Sequence, residues 1–185
     1  IIGFNFKENK TPINLSRGKK LCNALQEMGT TFIKLGQFLA TRPDIIGEKV
    51  SKDLEMLQDK LKPFSTNEAK NILRKELGEQ NYNQIQNLSE PVAAASIAQV
   101  HFATISDPQL NKEVAIKILR PNIEEIFNEE IDALMLLAYI VEKFLKKTKR
   151  LKLIEIVQLL REVTNMEMDL RFEAAAANEF YENTK

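Results

Sequence analysis

From Leu21 onward, apolar residues return at every third or fourth position. Leu21, Leu25, Met28, Phe32, Leu35 and Leu39 form one stripe, which predicts a helix over about residues 16–40. Arg42-Pro43 ends it, because the residue before a proline is pushed out of the α region. A second amphipathic segment covers Gly47 to Asp59 and closes at Lys62-Pro63. Ser65 stands three residues before Glu68, the spacing of a capping box, so a third helix starts there; it runs to Leu77, where Gly78 stops it. The period then falls to two. Ile97 to Thr104 and Glu113 to Leu119 alternate with β-branched residues around the turn signal Ser106-Asp107-Pro108, which predicts a hairpin and the only sheet in the chain. The helical period returns from Asn122 to Lys147 and from Lys152 to about Glu182, with Lys146 to Lys152 between them. Residues 1–20, polar and carrying Pro12 and Gly18, read as a loosely ordered leading segment. The expectation is an α+β chain with a small antiparallel sheet among helices.

Composition narrows what such a chain can do. Its 185 residues are enough to bury a core, and 26 basic against 26 acidic residues leave no net charge to draw in nucleic acid. The lone cysteine, Cys22, excludes an internal disulfide and reads as a small packed hydrophobe in a reducing compartment. The longest apolar run, Ala133 to Val141, falls short of the ~20 residues that span a bilayer, so no span is expected within this chain. The chain begins at Ile1 without a methionine and is read as a fragment, from which targeting signals and distal segments are not judged.

Four stretches carry possible chemistry. Val114-Ala115-Ile116-Lys117 matches the strand lysine motif of protein kinases: alternation buries Val114 and Ile116 and turns Lys117 to the other face, towards a nucleotide's phosphates. An exposed lysine on a half-buried strand explains the same four residues when they stand alone. Upstream, Ala93-Ala94-Ala95-Ser96 occupies the place where a kinase keeps its glycine-rich loop. Alanine methyls restrict such a turn, since glycine alone tolerates positive φ freely; tight packing against a helix is the other reading. Within the first helix, Lys34 and Gln37 share a face, and Gly36 costs about 1 kcal/mol against alanine, which suggests close approach of another backbone. Finally, Glu167, Asp169 and Glu173 cannot converge on one ion from an unbroken helix, because Asp169 and Glu173 stack while Glu167 points nearly opposite Asp169. A break near Thr164-Asn165 would free Glu167 for another partner.

Taken in order, FIKLGQFLATRPDI, AAASIAQVH, VAIK and EMDLRFEAAAN resemble the UbiB (AarF-type) family of atypical protein-kinase-like proteins, over about residues 25–180. The resemblance implies a kinase-like N-lobe: residues 1–88 as a helical extension, residues 89–185 as the lobe, and the C-terminal lobe absent from this chain. It implies ATP or ADP with magnesium as cofactor, the metal ligands lying outside these residues. Lys117 becomes the phosphate-contacting lysine and Glu173 its helix partner, although ordinary kinase spacing nominates Glu129 or Glu130. Ala93, Ala94, Ala95 and Ser96 become the alanine-rich loop, with Val100 and Ala115 also in the nucleotide-binding set. Lys34 and Gln37 fall on the KxGQ motif, Glu167 and Asp169 on the ExD motif, and Lys34 is expected beside Glu167.

Neither an HRD-type loop nor a DFG-type motif occurs in the sequence, so no catalytic residue is assigned within it and little turnover is expected. The intact protein is read as a kinase or ATPase supporting ubiquinone synthesis. A non-catalytic nucleotide- or lipid-sensing scaffold for quinone-biosynthesis enzymes and a helical interaction domain stay open as alternatives. By the same resemblance its partners are a nucleotide, a lipid or quinone precursor and quinone-biosynthesis proteins. Its place is the cytoplasmic side of a bacterial inner membrane or the matrix side of a mitochondrial one. His101 reads as a packed or hydrogen-bonded strand residue. The cluster Lys143, Lys146, Lys147, Lys149, Arg150 and Lys152 reads either as a solvated loop or as a contact for anionic lipid.

Overall fold

The computed structural model describes residues 15–57, 61–107 and 110–184; the leading segment up to residue 14, Asp59 and Pro108, each part of an expectation above, lie outside the described residues. Five helices come first: α1 (Arg17–Met28), α2 (Thr30–Ala40), α3 (Pro43–Ile46), α4 (Glu48–Leu54) and α5 (Thr66–Tyr82). Strands β1 (Ile85–Gln86), β2 (Ala93–Ala94), β3 (Ala98–Asp107) and β4 (Leu110–Leu119) follow, then α6 (Ile123–Phe144), a 3-10 turn at Lys146–Leu151, α7 (Leu153–Met168) and α8 (Leu170–Asn183).

The single helix expected over residues 16–40 is two. Gly29, at φ 109°, takes a conformation that side chains resist, and it separates α1 from α2. The apolar stripe read across that break is therefore not one face: Cys22 and Leu25 are buried, whereas Leu21 and Met28 are exposed. Arg42-Pro43 does close α2, with Pro43 as the first residue of α3. Ser65 and Glu68 form the full capping box, at 3.2 and 3.1 Å, worth about 1 kcal/mol. Gly78, at φ 74°, interrupts α5, but the helix resumes for one more turn to Tyr82.

The sheet is larger than the expected hairpin. β3 lies at its centre and pairs antiparallel with β4 from Ala98↔Leu119 to Asp107↔Leu110, and also with the two-residue strands β1 and β2. Strands that short have no period to detect. One face of the β3–β4 pair, with Ile116 and Ile118, packs on Ala69 and Leu73 of α5. At the same end, Ile97 and Ala98 join the main core with Ile123, Phe127 and Ile131 of α6 and Val157, Leu160 and Met168 of α7. The other expected helix, Lys152 to Glu182, is also divided. The break falls at Asp169 (φ −83°, ψ 88°) and not at Thr164-Asn165, because Thr164 is buried inside α7 while Asp169 caps the next helix.

Candidate functional site

Alternation along β4 sends Lys117 and Ala115 to the face opposite Ile116 and Ile118, and the register sets Lys117 against Val100 and Ala115 against Phe102. That face is open: Ala115 is exposed, Val100 partly so, and Phe102 is 58% exposed. At its edge the Lys117 amine meets Glu173 Oε2 of α8 at 2.5 Å. The ordinary kinase spacing pointed to Glu129 or Glu130; these lie on α6, and the contact goes to Glu173. An amine fixed by one carboxylate beside an apolar face can present its remaining protons to a phosphate. A shallow cleft of about 530 Å³ continues along this face towards the hairpin end, over Phe102, Thr104, Glu113 and Ala115.

The alanine stretch is a closed turn. Ala93 and Ala94 pair with Val100 and Gln99, and Ala95 N–H donates to Ala98 O at 2.8 Å. None of the three alanines has positive φ, so the turn avoids the region that glycine would be needed for. Arg120 holds it from behind, donating from Nε and Nη2 to the Ala95 carbonyl at 3.1 and 2.8 Å and from Nη1 to the Lys62 carbonyl at 3.0 Å. The only signal of Arg120 in the sequence is its place one residue beyond β4. On the other side, Thr30 Oγ1 at the start of α2 donates to Ser96 O at 3.2 Å. Below the turn, Gln99 binds both the N–H and the carbonyl of Phe64 and donates to His101 Nε2 at 2.8 Å. His101 Nδ1 in turn lies 2.7 Å from Ser89 O, so the imidazole, fully buried, carries its proton on Nδ1 by this geometry. His101 is thus a hydrogen-bonded strand residue.

α2 runs from this turn to the end of α7. Leu35 and Phe38 lean on the main core, and Lys34 Nζ reaches Glu167 Oε2 at 2.8 Å. Gln37 is half-buried on the same helix and has no hydrogen bond among the described residues. The close approach inferred at Gly36 is to side chains and not to another backbone: a methyl there would come within 2.2 Å of Leu57 Cδ1 and 2.8 Å of Leu25 Cδ1. Asp169 turns the chain between its two neighbours in the motif. Its carboxylate caps α8 by accepting from Arg171 N at 3.1 Å and takes the Arg171 guanidinium at 2.7 and 2.6 Å. The Arg171 hydrogen bonds hold its carboxyl below the usual carboxylate range. Because α7 ends at Met168, Glu167 and Glu173 lie on different helix axes and face different lysines. No group of three His, Cys, Asp or Glu converges among the described residues to hold a metal ion.

Residues 56–185 match the model of the ABC1 atypical kinase-like domain. The chain is 38% identical over 170 residues to the probable protein kinase UbiB of Marinobacter nauticus and 38% identical over 170 residues to that of Cellvibrio japonicus, each match covering 91% of this chain and 30% of the relative. The Pseudomonas aeruginosa protein of the same name is 36% identical over 174 residues, 92% of this chain and 32% of its own length. The chain thus spans about a third of the length of the curated relatives it matches. A small antiparallel sheet set among helices is consistent with a kinase-like N-lobe, and the chain belongs to the ABC1 atypical kinase-like family, with bacterial UbiB proteins among its relatives.

Proposed function

We propose that this chain is the nucleotide-binding N-lobe of an atypical kinase or ATPase that supports ubiquinone biosynthesis. One observation carries the reading: the Lys117 amine, fixed by Glu173, stands on the open face of the sheet beside the alanine turn. There a phosphate of ATP or ADP takes the free protons of Lys117, Val100 and Ala115 lie against the base, and the backbone of Ala93 to Ser96 covers the phosphates. Residues 1–88 act as the extension, helical apart from β1, which joins the sheet; its Lys34 and Gln37 lie across the site, and residues 89–185 form the rest of the lobe. Lys34 bound to Glu167 links that extension to α7. Magnesium and the catalytic base come from parts of the protein outside these 185 residues. The quinone part of the reading rests on the likeness to UbiB proteins. It extends to a lipid or quinone precursor, quinone-biosynthesis partners and the cytoplasmic face of a bacterial inner membrane.

Titration with a fluorescent ATP analogue tests it. Saturable binding is expected, weakened at least tenfold by Lys117→Ala, in line with the loss of a charge-assisted contact to phosphate. Equal affinity in the variant overturns the reading.

A further inference from the structure

Two polar side chains interrupt an otherwise apolar face of the sheet. Gln99 and His101 alternate with Val100 and Phe102 along β3, so they point away from the open face, on the side where Ile116 and Ile118 pack on α5. Gln99 is 1% exposed and His101 is fully buried. An aliphatic residue packs at such positions without loss, whereas an amide and an imidazole need a partner for their polar atoms. Each atom has one. Ser89 O can only accept, so His101 Nδ1 donates to it and Nε2 is left without a proton. Nε2 can then only accept, which makes Gln99 Nε2 the donor across their 2.8 Å contact. The same amide nitrogen donates to Phe64 O at 3.1 Å, and Gln99 Oε1 accepts from Phe64 N at 2.9 Å. Every bond in this relay has one direction, and the Gln99 amide has one orientation.

The relay grips the alanine turn on both of its arms. Ser89 leads into the turn and is tied to β3 again, from Ser89 N to Phe102 O at 2.8 Å and from Phe102 N to Ser89 Oγ at 2.9 Å. Gln99 belongs to the strand that leaves the turn and pairs with Ala94. Phe64 lies outside the sheet, just before the capped start of α5, and Lys62 in the same stretch is held by Arg120, which also holds Ala95 O. With alanine where glycine would adjust freely, the place of the turn depends on what holds it. We propose that Gln99 is a positioning residue for the turn that covers the nucleotide's phosphates, oriented by His101 and anchored on Phe64. The inference rests on the nucleotide reading and deepens it. The approach of the Ala93 to Ser96 backbone to a diphosphate or triphosphate is set from the opposite face of the sheet, by the segment that enters α5.

Displacement of the fluorescent ATP analogue from the full chain by ATP, ADP and adenosine tests this. Gln99→Met keeps the length of the side chain and removes its hydrogen bonds. It is expected to weaken ATP and ADP about tenfold, the order of one charge-assisted hydrogen bond, and to leave adenosine within about twofold. His101→Gln and His101→Asn separate the relay from packing. Glutamine can place an amide oxygen where Nε2 stands and accept from Gln99, whereas asparagine reaches only the Nδ1 position. The glutamine variant should stay within about twofold of the wild type for ATP, and the asparagine variant should behave as Gln99→Met. Equal weakening of ATP, ADP and adenosine overturns the proposal, because loss of stability alone would then explain it. If Lys117→Ala weakens ATP and Gln99→Met does not, this inference alone fails; if neither weakens it, the nucleotide reading fails as well. The wild-type chain decides where Gln99→Met loses its circular dichroism. Coupling is reciprocal, so ATP should slow amide exchange at Phe64 N–H and adenosine should not; slowing by both or by neither overturns the proposal.

Discussion

Lys34 of α2 and Glu167 of α7 form an ion pair of 2.8 Å in which the lysine side chain is 12% exposed and the glutamate 42%. The unequal burial makes the two halves unequal to remove. Glu167→Gln takes one carboxylate away from a nearly buried ammonium, whereas Lys34→Met leaves a half-exposed glutamate that water can serve. Glu167→Gln is expected to destabilise by about 1–2 kcal/mol, discounted from a fully buried pair for the solvent at the glutamate, and Lys34→Met by less. Urea unfolding of both variants and the double variant checks this through the coupling term. An equal loss from each single variant would contradict the burial argument.

Gly36 illustrates a conflict that packing wins. Alanine in its place gains about 1 kcal/mol of helix propensity, but its methyl meets Leu57 and Leu25, both buried, well inside contact distance. Overpacking of that kind costs about 1–3 kcal/mol, so Gly36→Ala should come out net destabilising. A midpoint of thermal unfolding that rises instead would mean that both leucines rotate away freely.

Arg120 is expected to set the rigidity of the alanine turn. Its guanidinium serves the Ala95 and Lys62 carbonyls together, a geometry that the point charge of lysine does not reproduce. Arg120→Ala should cost about 1.5–3 kcal/mol, and Arg120→Lys should recover less than half of that. The local readout is amide exchange at Ala95, whose N–H is held by Ala98 O. Exchange there should speed up in both variants; unchanged protection would show that the turn holds itself.

The pair Asp169 and Arg171 has a definite pH signature. Hydrogen bonding by Arg171 lowers the carboxyl below its ordinary value in the folded chain. As pH falls, the unfolded chain therefore takes up the proton first. The stabilisation is present above the ordinary carboxylate range and is lost as pH falls through the depressed value. Between about pH 6 and 8 this pair contributes no slope. Carboxyl NMR titration should find Asp169 below the ordinary range, and Arg171→Gln should bring it back up. An Asp169 titration unmoved by that substitution would exclude the guanidinium as the cause.

What could be read locally was read from local physics. A proline at the start of α3, a serine and glutamate at the start of α5, and two-residue alternation along β3 and β4 each follow from sterics or hydrogen bonding within a few residues. Lys117 could be assigned to the open face for the same reason, since successive side chains of a strand point to opposite sides. Motif order then suggested which distant residues belong with it. The helix break at Gly29 was hidden because apolar residues keep their spacing across it while the backbone does not. The two-residue strands β1 and β2 exist only because β3 offers them partners. Arg120 looked like any surface cation until the alanine turn was folded over it.

By itself the sequence determined the types of the longer elements, the sheet face that Lys117 occupies, and the four motifs that resemble one family. Only the tertiary structure decided where the helices break, that Lys117 meets Glu173 and not Glu130, and that α2 stretches from Ser96 to Glu167. The reason is physical: propensity and periodicity act over a few residues, whereas these contacts join segments far apart in the chain, and their partners are fixed by how the helices pack against the sheet.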